Sequence, residues 1–502
     1  MKKIFVLLMM IFFTVEIYSQ REYSPTWESL DSRPVAPWFA DAKFGIFIHW
    51  GLYSVPAWGP KGTYAEWYQY FLQEKKITYG NGDFTGEETY EYHTKKYGKD
   101  FTYYQFAPMF KAELFNPDEW AELFNNAGAK YIVLTSKHHE GYALWPSKEA
   151  NDRGFRWNSL DIGPHRDLVG ELEKAIRKTD IKFGLYYSLY EWYHPLWKYN
   201  KEKYVSEHMI PQIKDLITRY KPDIIWPDGE WEISDTLWRS RELLTWLFNE
   251  SPVANTIVVN DRWGKGTRKK HGGYFTTEYE GTVEYGKPWE ECRGMGFSFG
   301  YNRNEDIQDY NTPKALVLSL VDIVSHGGNL LLDIGPTASG KIPPVMQERL
   351  LQIGKWLKVN GEAIYGTRKW KIPVQWSKGN RDYKPEGMLV GGDLILKQTV
   401  DPESGYTVKE VFFTKKENAL YVILPKWTDG VLTVKDVNAA AGAKISLLGQ
   451  EGKFSWKNKG KNIQITMPEK CNFNFSTEEE YAYVLKISSY KYNSSLKTHI
   501  KC

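Results

Sequence analysis

Between about residue 35 and residue 365 the chain alternates short apolar runs with longer stretches whose apolar residues recur every three or four positions. The short runs are KFGIFIHWG (43–51), KYIVLTSKHHEG (130–141), IKFGLYYSLYEW (181–192), DIIWPDGEW (223–231), TIVVNDRWG (256–264), GYFTTEYE (273–280) and NLLLDIGP (329–336). Most open on β-branched or aromatic residues and close on a polar or aromatic cluster. Near-continuous apolar runs suit strands covered on both faces, as in a parallel sheet wrapped by helices.

The stretches between them carry helix signals. Asn116 stands as an N-cap before Pro117, Asp118 and Glu119, a first turn that complements the positive helix end. Trp120, Leu123 and Phe124 then form an apolar stripe ahead of Gly128. Similar stripes run through Leu168–Leu172–Ile176, Leu316–Leu320–Ile323–Val324 and Leu350–Ile353–Trp356–Leu357, the last stopped by Gly361. About seven β/α alternations in one stretch predict a single α/β unit, a (β/α)8-type (TIM-like) barrel over 20–366. In such a barrel the polar strand ends converge on one face, where the site forms.

After about Thr367 the period changes to two. Runs such as VKEVFFTK (408–415), ALYVILPKW (419–427), GVLTVKDV (430–437), NIQITMP (462–468) and EYAYVLKIS (480–488) predict an antiparallel β-sandwich over 367–490. Residues 491–502 are expected to be a flexible tail.

The first residues read as a signal peptide, 1–19: Lys2 and Lys3, an apolar run from Ile4 to Phe13, then small Ser19. Export to the periplasm or the medium follows as an expectation, with no membrane association after cleavage. A net charge of +3 on 502 residues argues against a nucleic-acid partner. Three cysteines, Cys292, Cys471 and Cys502, are too few and too scattered for a disulfide scaffold or a zinc site. The unusual quantity is aromatic content, 16% of the chain, with 21 Trp, 34 Tyr and 24 Phe. Such a bias fits a β-rich core, and it also fits a carbohydrate ligand, whose C–H faces stack on flat rings.

Glycoside cleavage needs two carboxyl groups flanking the bond. Asp228 ends the run Ile224–Ile225–Trp226 and precedes Gly229; Glu230 and Glu232 lie beyond that turn and are expected to be solvated or to support the site. Glu278 ends its run two β-units later, with Glu280, facing the same way by period two, as its rival. His49, His138 and His139 sit at run ends without an HxH or HExxH pattern, so no metal is expected. As strand neighbours, His138 and His139 should face opposite sides. Glu66, Trp67, Trp226 and Arg262 complete the set, and no nucleotide loop accompanies them, so no cofactor is expected.

At these residues the chain resembles the α-L-fucosidases of glycoside hydrolase family 29. The matching segments include WFADAKFGIFIHWGLYSVPAW (38–58), AEWY (65–68), TSKHHEGYALWPS (135–147), GLYYSLYEW (184–192), WPDGEW (226–231), NDRWG (260–264), SFGYNRNE (298–305) and GGNLLLDIGPTASG (327–340). The resemblance implies a retaining exo-glycosidase that removes terminal α-L-fucose from glycans through a covalent intermediate. It implies Asp228 as nucleophile, with His49, Glu66, Trp67, His138, His139, Tyr186, Trp226 and Arg262 as sugar-binding residues. TTEY resembles bacterial members that place the acid/base here, which points to Glu278 and to a relaxed linkage preference. Two other readings stand beside it: an inactive fucose-binding protein, and a hydrolase for a related galacto-configured or sulfated fucan substrate. The natural glycan and the oligomeric state have no signature in the sequence.

Overall fold

The computed structural model describes residues 22–75, 78–79, 84–280, 286–383, 394–400, 402, 404–452 and 454–492. The expected signal segment, most of the expected tail and Cys502 lie outside the described residues. Eight parallel strands follow one another around the first unit: β1 Phe44–Ile48, β2 Tyr131–Lys137, β3 Lys182–Ser188, β4 Ile224–Asp228, β5 Val258–Val259, β6 Phe275–Glu278, β7 Trp289–Gly294 and β8 Asn329–Ile334. Their order in the sheet is β5-β4-β3-β2-β1-β8-β7-β6. One backbone bond, from Tyr274 N–H to the Val259 carbonyl at 3.2 Å, joins the two edge strands and closes the barrel.

Among the helices that pack outside are α1 Pro117–Asn126, α2 Leu168–Ile176, α3 Ile210–Tyr220, α4 Ser240–Asn249, α5 Pro313–Ser325 and α6 Pro344–Asn360. Asn116 caps α1 through bonds to the N–H groups of Asp118 and Glu119. Alternate strand residues split between two cores. Ile46, Ile48 and Ile225 face the helices, while Phe47, Val133, Ile224 and Trp226 fill the barrel interior.

The β/α alternation expected from the sequence fails between β5 and β6. No helix lies there, and residues 260–274 form a loop instead. Strand β7 was not legible as an apolar run, because Glu290, Glu291 and Arg293 interrupt it. All three are buried, and their polar groups are satisfied: Glu290 accepts inside the barrel from the Tyr131 hydroxyl at 2.6 Å and from the Trp226 indole at 2.8 Å, and Glu291, on the opposite face of the strand, pairs with Arg293.

The second unit is antiparallel. Strands β9 Arg368–Trp376, β10 Lys409–Lys416, β11 Ala419–Leu424, β12 Gly430–Val434, β13 Val437–Ala439, β14 Ile445–Leu447, β15 Ser455–Lys459, β16 Asn462–Met467, β17 Tyr483–Ser488 and β18 Tyr490–Tyr492 build it. They form a five-stranded sheet (β9-β10-β11-β17-β14), a three-stranded sheet (β12-β16-β15) and the pair β13-β18. Leu420, Val422, Ile463, Ile465 and Leu485 fill the space between the sheets. Tyr490 to Tyr492, at the edge of the expected tail, pair with Val437–Ala439. The two units are tied by the Trp356 indole to the Ala482 carbonyl (2.9 Å), Thr414 to the Ala363 carbonyl (2.7 Å) and a buried Lys409–Asp322 ion pair. Among the described residues no helix is long and apolar enough to cross a membrane.

Candidate active site

The C-terminal ends of the strands surround a cavity of about 320 Å³. Asp228, Glu278, His49, Glu66, Trp67, His138, His139, Tyr186, Trp226 and Arg262 all line it. Asp228 arrives there because Trp226 and Asp228, two apart on β4, share the inward face. Gly229 then takes φ +76°, and a Cβ there would lie 2.3 Å from the Tyr190 ring, so the chain leaves the strand at once.

Both oxygens of Asp228 are held. Oδ1 accepts from Arg262 Nη1 at 2.6 Å, and Oδ2 accepts from the Tyr186 hydroxyl at 2.9 Å. Arg268 Nη2 and His139 Nε2 each stand 3.6 Å away. Burial by itself pushes the Asp228 carboxyl up, but the guanidinium groups of Arg262 first and Arg268 second hold it well below the usual carboxylate range. It is an ionised, oriented carboxylate.

Glu278 accepts from the Tyr64 hydroxyl at 2.8 Å on Oε1 and from Arg262 Nη2 at 3.4 Å on Oε2. One guanidinium therefore spans both carboxyl groups, and its carbon lies 4.3 Å over the Trp226 ring. Asp228 is the more enclosed partner, with 10% of its side chain exposed against 25% for Glu278.

Glu280 lines the outer cavity but does not share the Glu278 position. The strand ends at Glu278, and Tyr279 takes φ +51°, rare for a bulky residue. Period two is broken there, and the Glu280 carboxylate turns to Lys269 Nζ at 2.5 Å. The Tyr279 conformation is held by its hydroxyl, which donates to the Phe297 carbonyl at 3.0 Å and accepts from Gly294 N–H at 2.7 Å. Glu230, beyond the turn after Asp228, is buried against Arg268 Nε at 2.5 Å, whereas Glu232 pairs with Lys201 at the surface.

His138 and His139 do not face opposite sides as strand neighbours would. Strand β2 ends at Lys137, so the pair lies in the following turn, with ring centroids 4.1 Å apart and both rings on the cavity. His139 Nδ1 lies 2.6 Å from Ser188 Oγ, whose own proton goes to the Tyr190 carbonyl at 2.6 Å. Nδ1 must then be the donor. Burial holds the imidazole well below its ordinary pKa, so Nε2 presents a lone pair to the cavity. His49 Nδ1 meets the buried Asp333 carboxyl at 2.6 Å, and its ring stacks on Phe299. Glu66 accepts from Gly300 N–H at 2.8 Å, and burial pushes its carboxyl up to about 7.

Tyr64, Trp231, Arg268 and Phe299 complete the walls and were not singled out from the sequence. Tyr64 stands two residues before Glu66, which was the available signal. Arg268 sits in a polar loop without periodicity. Cys292, a free thiol, lies at the cavity lining, and Cys471 is free and exposed.

A second cluster lies behind the β2 and β3 ends. Asp152 accepts from His194 Nε2 at 2.9 Å and meets His208 Nδ1 at 2.7 Å. His194 Nδ1 accepts the Leu196 N–H at 3.1 Å, so its proton resides on Nε2. A metal-bound histidine does the reverse, donating from its outer nitrogen. The cluster is a hydrogen-bonded network.

A β/α barrel with paired carboxyl groups in an aromatic cavity at its strand ends defines a glycoside hydrolase. A family model described as alpha-L-fucosidase matches residues 10–362, and one described as alpha-L-fucosidase C-terminal domain matches 405–488. Tissue alpha-L-fucosidase of Homo sapiens is 41% identical over 483 residues, spanning 94% of this chain and 93% of that protein. The crystal structure of Thermotoga maritima alpha-fucosidase with a mechanism-based inhibitor has a TM-score of 0.73 and 36% identity, covering 93% of this chain and 100% of that one. The same enzyme in complex with fucose matches with a TM-score of 0.72, 36% identity and the same coverages. The chain belongs to the alpha-L-fucosidase family and is an enzyme that hydrolyses fucose from glycans.

Proposed function

We propose that the enzyme is exo-acting and retains configuration, with Asp228 as nucleophile and Glu278 as acid/base. The observation that carries this reading is the Arg262 bridge, which fixes Asp228 at 2.6 Å and Glu278 at 3.4 Å around one cavity. Asp228 attacks the anomeric carbon while Glu278 gives its proton to the departing glycosidic oxygen. The fucosyl ester then yields to a water deprotonated by Glu278, which regains the starting state. The cavity is near the small end of ligand pockets, about 300–1,000 Å³, which suits one terminal sugar. His49, Glu66, His138 and His139 supply polar groups for its hydroxyls. Trp67, Trp226 and Phe299 give an apolar wall for the C6 methyl of a 6-deoxy sugar. The substrates would be fucosylated oligosaccharides or glycoconjugates, met after export and loss of residues 1–19. Residues 20–366 would form the catalytic unit and 367–490 the sandwich.

Proton NMR of the first minutes of α-L-fucoside hydrolysis tests sugar and stereochemistry together. The α-anomer of free fucose should appear before mutarotation. First appearance of the β-anomer would replace retention by inversion, and absence of any free fucose would favour the binding-protein reading.

A further inference from the structure

The barrel ladder is thin between β5 and β6; of three consecutive residues after β5, Asp261 and Arg262 bridge it with their side chains, while Asn260 ties the segment to β4. Asn260 reaches back to β4: its Nδ2 donates to the Pro227 carbonyl, next to Asp228, at 3.1 Å, and its Oδ1 accepts Arg262 N–H at 3.0 Å. Asp261 reaches forward to β6. Its Oδ1 accepts both the Thr276 N–H at 3.1 Å and the Thr276 hydroxyl at 2.7 Å, and its Oδ2 accepts Lys269 N–H at 2.8 Å. Arg262 turns into the cavity, and its Nε donates to Thr276 Oγ1 at 3.0 Å. All four side chains are buried.

The direction of these bonds is determined by their chemistry. Arg262 Nε can only donate, so Thr276 Oγ1 accepts from it and sends its one proton to Asp261. With Nε pinned, the guanidinium plane is fixed, and Nη1 and Nη2 are aimed separately at Asp228 and Glu278. A guanidinium held only by its two carboxylates could rotate with either of them. Asp261 thereby bears on the reacting groups through one hydroxyl, that of Thr276, and the Arg262 guanidinium.

We propose that Asp261 and Thr276 are positioning residues for catalysis, acting through Arg262 on the geometry of the carboxyl pair. The proposal rests on the reading of Asp228 and Glu278 as that pair. It makes the closure of the barrel and the alignment of the site one construction, since the bonds that replace the missing ladder also orient Arg262.

Thr276→Val keeps the side-chain shape and the Thr276 N–H bond to Asp261 while removing the acceptor for Nε. It should lower kcat/KM on aryl α-L-fucosides by about 10- to 100-fold, the scale of a small misplacement in a site. Thr276→Ser, which retains the hydroxyl, should recover most of that loss. The acid limb of kcat/KM should also move to higher pH in the valine variant. The groups facing Asp228 are Arg262, Arg268, His139, Tyr186 and Glu230, with Glu278 across the guanidinium, and only the hold of Arg262 is loosened. The proposal is overturned if the valine variant keeps wild-type kcat/KM, or if the valine and serine variants lose equally. Asp261→Asn carries the same test should Thr276→Val fail to fold; if neither folds, the seam is structural alone and the proposal falls. Asp228→Ala measured alongside separates the two ideas. Its retention of activity sinks the reading of the site itself, whereas an inactive Asp228→Ala beside a fully active Thr276→Val sinks only the positioning role.

Discussion

Tyr64 and Glu278 lie 214 residues apart, and the Tyr64 hydroxyl donates to Glu278 Oε1 at 2.8 Å. The Tyr64 ring is stacked on Phe297 and on Phe299, with interplanar angles of 2° and 18°, so the hydroxyl is delivered by a rigid platform. The plane of the Glu278 carboxyl is thus set by Tyr64 on one oxygen and Arg262 on the other. Tyr64→Phe preserves the stack and deletes the donor. Turnover of fucosides with poor leaving groups should fall about 10-fold, a fraction of what general acid catalysis supplies. Fucosyl fluoride, which needs little protonation, should be far less affected. Comparing the two substrates in the same variant checks the claim.

Glu278 and Glu280 separate on the same principle. Glu278→Ala should lose natural glycosides far more than substrates whose leaving groups depart unaided. Glu280→Ala removes a surface partner of Lys269 and should stay within about threefold of wild type on both, since exposed pairs contribute little. The reverse pattern in kcat would transfer the acid/base role to Glu280.

The charge on Asp228 depends on Arg262. Burial raises the carboxyl pKa and Arg262 is first among the groups that lower it. Arg262→Met should therefore carry the acid limb of kcat/KM to higher pH, because the carboxylate protonates sooner. The depressed pKa of the wild type contributes stability above the unfolded value near about 3.9, lost as pH falls through the folded value. Breaking so buried a pair should cost about 3–5 kcal/mol of stability near neutral pH. Titration of activity and chemical denaturation together measure both effects.

Glu305 offers the opposite sign away from the chemistry. Its Oε1 accepts the N–H groups of Phe297 and Ser298 at 3.0 and 2.9 Å, and burial pushes its pKa up to about 7. A raised carboxyl is most favourable to the fold when protonated, so its contribution declines as pH rises from the ordinary range near about 4.3 through that value. Glu305→Gln mimics the protonated form. Its Tm should gain on the wild type between pH 5 and pH 8, and a constant difference across that range would refute the assignment.

Local pattern carried a large share of the architecture. Apolar runs ending in polar clusters announced seven of the eight barrel strands, and Asn116–Pro117 announced the start of α1, because burial on both faces and capping are written in neighbouring residues. The same pattern gathered Asp228, Glu278, Arg262 and the three histidines, since strand ends in a barrel share one mouth. Other features escaped it for stated physical reasons. Strand β7 is charged yet buried, which becomes favourable only when Tyr131, Trp226 and Thr277 arrive from other strands. Glu280 left the strand face because Tyr279 adopts a positive φ that Gly294 and Phe297 hold in place. Tyr64 at Glu278, and Asp261 at Thr276, are pairings of directional donors and acceptors. Sequence by itself determined which residues could do the chemistry; closure of the barrel decided which of them meet, because a hydrogen bond requires an approach within about 3 Å that no spacing along the chain encodes.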